Sequence, residues 1–112
     1  MPVIKMVNLP NVRVLWDLAH PFTAGETIAE SAAQFDGFIC HVHVKDHTAD
    51  HKLVLLGKGI VPLDEAFSEL KRMRYSGYVS LEWEKTWHPE LEEPEIAFPQ
   101  AIEYMRQLDA RT

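Results

Sequence analysis

Asp36-Gly37-Phe38-Ile39-Cys40-His41-Val42-His43-Val44-Lys45-Asp46 reads as a β-strand entered through a turn. Asp-Gly is a turn signal, and Phe38 to Val44 is rich in strand formers. Successive side chains of a strand point to opposite faces. Cys40, Val42 and Val44 therefore share one face, and His41, His43 and Lys45 share the other. The first face is fit for burial under helices. The second brings proton-binding groups toward the C-terminal end of the strand.

Working outward, the same design appears on either side. Val12 to Trp16 follows the turn signal Pro10-Asn11, with Val12, Val14 and Trp16 on one face and Arg13, Leu15 and Asp17 on the other. Tyr78 to Trp83 follows Ser76-Gly77, with Val79, Leu81 and Trp83 opposed to Ser80, Glu82 and Glu84. Helical spacing fills the intervals. Ile28, Ala32 and Phe35 share a face within Gly25 to Phe35. Leu63, Ala66, Phe67, Leu70 and Met73 form a stripe within Val61 to Met73, with Pro62 suited to the first turn. Pro94 can open a last helix bearing Ala97, Ala101, Tyr104, Met105 and Leu108, where Pro99 marks a kink or a later start.

The order β-α-β-α-β-α predicts parallel strands with right-handed crossovers. Units recur about every 35 residues, and a closed barrel of eight needs roughly 250. The 112 residues hold about three. The expected fold class is α/β: three βα units of a (β/α)8 TIM barrel, forming a single partial-barrel domain over residues 1–112.

Composition narrows the function. Hydrophobic residues make up 46% and charged residues 25%, ordinary for a globular domain. The formal net charge of −6 argues against a nucleic-acid surface, which is basic. Cys40 is the single cysteine and cannot pair internally, which fits a reducing cytoplasm. No apolar run is long enough to span a bilayer, so no membrane partner is expected.

In a parallel α/β protein, ligands bind at the C-terminal ends of the strands. Aligning the three strands gathers Asp17, His43 and Glu82, with His20, His41, Lys45, Asp46 and Glu84 around them. Carboxylate and imidazole together suit a divalent ion such as Mn²⁺, Zn²⁺, Co²⁺ or Mg²⁺. Such an ion can polarise a sugar carbonyl and its neighbouring hydroxyl. Each feature alone has a plainer reading. An Asp at a strand end often caps a helix, and Glu-x-Glu is usually a solvated strand face. Their coincidence at three successive strand ends favours a metal site.

Four phrases carry a resemblance to a known family: Trp16-Asp17-Leu18-Ala19-His20, His41-Val42-His43-Val44-Lys45-Asp46, Leu56-Gly57-Lys58-Gly59-Ile60-Val61-Pro62 and Gly77-Tyr78-Val79-Ser80-Leu81-Glu82. Together they resemble the Asp-x-x-His, His-x-His-x-Lys-Asp, Gly-x-Gly and Glu-ended strand elements of the xylose-isomerase-like TIM-barrel superfamily. That superfamily holds metal-dependent sugar isomerases and epimerases and an endonuclease branch. The resemblance implies that Asp17, His43 and Glu82 are metal ligands and that Glu82 doubles as catalytic acid/base. It implies catalytic roles for His20 and Lys45, with His20 contacting substrate or a second metal and Lys45 and His41 lying on the substrate side or behind the ligands. Glu84 and Trp87 are expected to contact substrate, Trp87 at the pocket mouth with His88. Trp83 is expected to face helices, and His47 and His51 to be solvated loop residues.

A complete member supplies a further ligand Glu from an earlier strand, so the resemblance implies a C-terminal fragment or truncated member carrying part of the site. The exposed strand edge would need cover, and a homo-oligomer is the simplest. The expected function is divalent-metal-dependent isomerisation or epimerisation of a sugar, a sugar phosphate or another derivative. The alternatives are a noncatalytic dimeric module that binds metal or ligand, and the endonuclease branch. The latter is disfavoured by the −6 charge and the lack of an extra histidine-rich loop.

Overall fold

The structure, a computed structural model, describes residues 3–112. Its elements in chain order are α1 (Val3–Val7), β1 (Val14–Asp17), α2 (Ala19–Thr23), α3 (Ile28–Phe35), β2 (Ile39–Val44), β3 (Asp46–His47), β4 (Leu53–Val54), α4 (Leu63–Arg72), β5 (Val79–Leu81) and α5 (Pro94–Arg111). β1, β2 and β5 form one parallel sheet in that order, as the alternation predicts. α3, α4 and α5 cover its apolar face. Side-chain alternation holds: Trp16, Val42 and Val44 are buried against Ile28, Ala32, Ala66, Phe67 and Leu70, while Leu15, on the opposite face, is half exposed.

The helix starts have local causes. α3 begins at Ile28, later than Gly25, because Thr27 closes a capping box. Its hydroxyl accepts the Glu30 amide at 3.1 Å, and the Glu30 carboxylate accepts the Thr27 amide at 3.2 Å. α4 begins at Leu63, with Pro62 as the cap rather than inside the first turn. α5 runs unbroken from Pro94, so Pro99 sits within a continuous helix and does not mark a later start.

Three features go beyond the sequence reading. α1 and α2 are five-residue helices, and β3 and β4 form an antiparallel two-residue ribbon pairing Asp46 with Val54 and His47 with Leu53. No described helix is long and apolar enough to cross a membrane.

Candidate metal centre

The sheet register builds the site. Asp17 at the end of β1 lies opposite His43 of β2, and His43 lies opposite Ser80 of β5. Glu82 follows two residues after Ser80, and its amide bonds the Val44 carbonyl at 3.0 Å, which keeps its side chain on the same face. One potential ligand atom from each of Asp17, His43 and Glu82 lies within 4.8 Å of the others. All three side chains are half-buried.

Asp17 caps a helix with one oxygen and turns the other to the site. Its Oδ1 accepts the amides of Ala19 and His20 at 2.9 and 3.1 Å, tying down the start of α2. Its Oδ2 turns to the site, 3.7 Å from Lys45 Nζ.

Lys45 is the hub of the cluster. Its side chain is only 8% exposed, and its Nζ lies 3.3 Å from Glu82 Oε2 and 3.4 Å from Glu84 Oε1. His20 Nε2 lies 2.9 Å from the same nitrogen. An ammonium only donates, so His20 Nε2 accepts, which leaves Nδ1 facing Asp17 Oδ2 at 3.8 Å. Burial alone would lower the Lys45 pKa, but the carboxylates of Asp17, Glu82 and Glu84 outweigh it and raise the value above the ordinary lysine range. Burial alone would raise Asp17. The Lys45 charge and the two capping amides outweigh it and hold the carboxyl below its usual range.

Two observations show that this donor set fits a divalent cation. Three carboxylates (Asp17, Glu82, Glu84) face one ammonium, an excess of two negative charges before the histidines are counted. Glu82 Oε2 is sealed from solvent and makes no hydrogen bond; the Lys45 ammonium at 3.3 Å and the His43 ring at 3.8 Å are the groups that face it. That ammonium is shared with Asp17 and Glu84, which leaves this buried oxygen able to take a second cation. Asp17, His43 and Glu82 would hold the ion.

The other expected residues divide. His20, Lys45 and Glu84 join the cluster and line a cleft of about 280 Å³ with Thr23, His47 and His88. His41 sits behind His43, ring edge to face at 5.3 Å, and its Nε2 bonds Ser80 Oγ at 2.9 Å. Trp87 lies in the turn after β5 and is 78% exposed. Trp83 is half-buried, and its indole nitrogen donates to the Glu92 carbonyl at 2.9 Å.

Two readings need correction. Asp46 does not join the cluster: its buried carboxylate accepts the amides of Gly57, Gly59 and Val61 at 2.9, 3.0 and 3.1 Å. His47 is not solvated. It is 6% exposed on β3, with Nε2 against Thr23 Oγ1 at 2.9 Å and Nδ1 against the Thr48 carbonyl at 2.8 Å. Thr23 has no signal in the sequence, because its bond to His47 spans 24 residues and leaves no local pattern. His51 is exposed, with φ +66°.

Parallel βα units with a carboxylate–imidazole cluster at the strand ends define a βα-barrel protein with a candidate metal centre. The family profile described as xylose isomerase-like TIM barrel matches residues 1–108, and the chain belongs to that family. Among solved structures, it is similar to the IolI protein with a bound zinc atom, at 27% identity and TM-score 0.76, covering 97% of this chain and 41% of that one. The D-allulose 3-epimerase of Methylomonas sp. aligns at 21% identity and TM-score 0.76, over 94% of this chain and 40% of that one. An L-ribulose 3-epimerase aligns at 15% identity and TM-score 0.78, over 96% and 39%. At such identities the two epimerases show likeness of fold alone. A protein of Methanocaldococcus jannaschii is 27% identical over 85 residues, 73% of this chain and 29% of that protein. The chain thus spans about two fifths of these three solved structures and under a third of that relative.

Proposed function

We propose that the protein serves as part of a divalent-metal-dependent isomerase or epimerase of a sugar or sugar derivative. The observation that carries this is the convergence of Asp17, His43 and Glu82 within 4.8 Å, with one Glu82 oxygen buried and without a hydrogen bond. The zinc bound by the IolI protein supports a metal at such a site. The epimerases among the fold's neighbours support sugar chemistry.

When bound, the ion supplies a Lewis acid for a carbonyl and its neighbouring hydroxyl. This chain's residues do the rest. Glu82 stands at the centre and would take a proton from the carbon beside the carbonyl and return it. Lys45 would hold a hydroxyl oxygen, as the one ammonium among three carboxylates. His20 and Glu84 would orient the polyol from either side of Lys45, and Trp87 would close over it from the rim. His41, fixed on Ser80, sets the plane of the His43 ring. The remaining ligands and barrel units would come from further chain or a second copy, making a homo-oligomer one form of the working protein. The −6 charge favours a small hydroxylated ligand over nucleic acid, and a cytoplasmic setting suits the single thiol.

Deuterium exchange tests the reading. The protein with Mn²⁺ is incubated with a panel of ketoses in heavy water and followed by NMR. Exchange at a carbon beside the carbonyl, lost in Glu82→Gln, is the expected result. Metal binding without exchange for any ketose would point instead to a noncatalytic binding module.

A further inference from the structure

The Gly57-Lys58-Gly59 turn resembles an anion-binding loop in its spacing, and its amides do converge on an anion. The anion is the protein's own. Oδ2 of Asp46 accepts Gly57 and Gly59, and Oδ1 accepts Val61 and His47, at 2.9 to 3.1 Å. Four backbone donors on one carboxylate make a filled nest. Those amides are not free for a ligand phosphate. The loop is also shaped for this occupant: a Cβ on Gly59 would run into the His47 carbonyl and Asp46 Oδ1. The Ile60 amide adds a bond to the His47 carbonyl at 2.8 Å.

Asp46 sits between two residues that reach elsewhere. Lys45 enters the carboxylate cluster. His47 bonds Thr23 on α2, the helix that carries His20. Residues 45 to 47 therefore join three parts of the molecule: the cluster, the 57–61 loop and α2. We propose that Asp46 is a positioning residue whose carboxylate, by filling the 57–61 nest, fixes the end of β2 so that Lys45 is held between Asp17, Glu82 and Glu84. The inference rests on reading that cluster as the working site.

The test reads Lys45 directly. Lysine acetylation rates are measured by mass spectrometry in the whole protein and in Asp46→Gly, with and without sodium formate, a carboxylate small enough for the vacated nest. In the wild type Lys45 reacts far more slowly than the exposed Lys58. In Asp46→Gly its rate rises roughly tenfold, as expected for losing a charge-assisted hydrogen-bonded anchor. Formate restores slow labelling, chloride does not, and the rates of Lys71 and Lys85 stay constant. An unchanged Lys45 rate in a folded Asp46→Gly variant, or failure of formate to restore protection, would overturn the proposal. If Asp46→Gly does not fold, Gly59→Ala decides, because it presses on the same carboxylate from the loop. A faster Lys45 there supports the proposal, and an unchanged rate overturns it. The labelling needs no metal, so a failure of Mn²⁺ to bind would bear on the proposed function alone.

Discussion

Asp17 divides its two oxygens between folding and chemistry, and the roles can be separated. Asp17→Asn retains an oxygen for the Ala19 and His20 amides but loses the charge facing the site. Its apo stability should fall less than that of Asp17→Ala, which loses the capping oxygen as well, while Mn²⁺ affinity falls at least about tenfold, the usual scale for losing one charged ligand contact. Asp17→Ala should lose the affinity and also about 1 kcal/mol of stability, the cost of an unmade cap. Thermal unfolding alongside metal titration checks both. Equal destabilisation by the two substitutions would mean that the charge, not the cap, serves the fold.

Lys45 makes the opposite kind of prediction, at alkaline pH. Its pKa is raised in the folded state, so its ionised form stabilises the fold below about pH 10.5. That contribution is lost as pH climbs through the raised folded value. Asp17 has a lowered value, so its contribution is present above about pH 4 and lost as pH falls through the lower folded value. Metal-free Lys45→Met should therefore be less stable than wild type near neutrality, by about 1–3 kcal/mol for a nearly buried, multiply paired charge. The gap should narrow above about pH 10.5. Urea midpoints across pH 7 to 11.5 measure it, and a constant gap would contradict the assigned partners of Lys45.

At the scale of elements, what was legible follows from how far the signals reach. β1, β2 and β5 could be read because the alternation in the sequence, over residues 12–16, 38–44 and 78–83, runs past the strands themselves and separates two faces. α4 could be read because its apolar stripe runs through Leu63, Ala66, Phe67 and Leu70. The triad followed from strand alignment, since parallel register places Asp17 beside His43 and His43 beside Ser80. The β3–β4 ribbon was not legible: two residues per strand carry no period. Its loss misplaced Asp46 and His47 together. An Asp after a strand of ligand-bearing residues invites a site role, and only the folded 57–61 loop shows that its partners are backbone amides 11 to 15 residues away. α2 was hidden for the same reason, being a single short helix turn fixed by Asp17 rather than by its own periodicity.

At the scale of the molecule, the sheet has three strands, with β1 and β5 at its edges. Beside β5, Phe98 and Ile102 of α5 are about half exposed, and they flank an apolar cleft that also includes Leu81 and Met105. In a closed barrel both edges are paired. The 112-residue protein alone should therefore self-associate with rising concentration in sedimentation experiments. Phe98→Glu with Ile102→Glu should shift it toward monomer. A wild type that stays monomeric at about 100 μM, well above the micromolar Kd of an ordinary specific interface, would contradict this.

The central claim is that these three strand ends assemble a metal site, and calorimetric titration of the chelator-stripped protein with Mn²⁺, beside Glu82→Ala, tests it most directly. The account predicts binding at about micromolar Kd or tighter in the wild type, as fits several charged ligands acting together, and its loss in the variant. No heat of binding in the folded wild type, or equal affinity in Glu82→Ala, would contradict it.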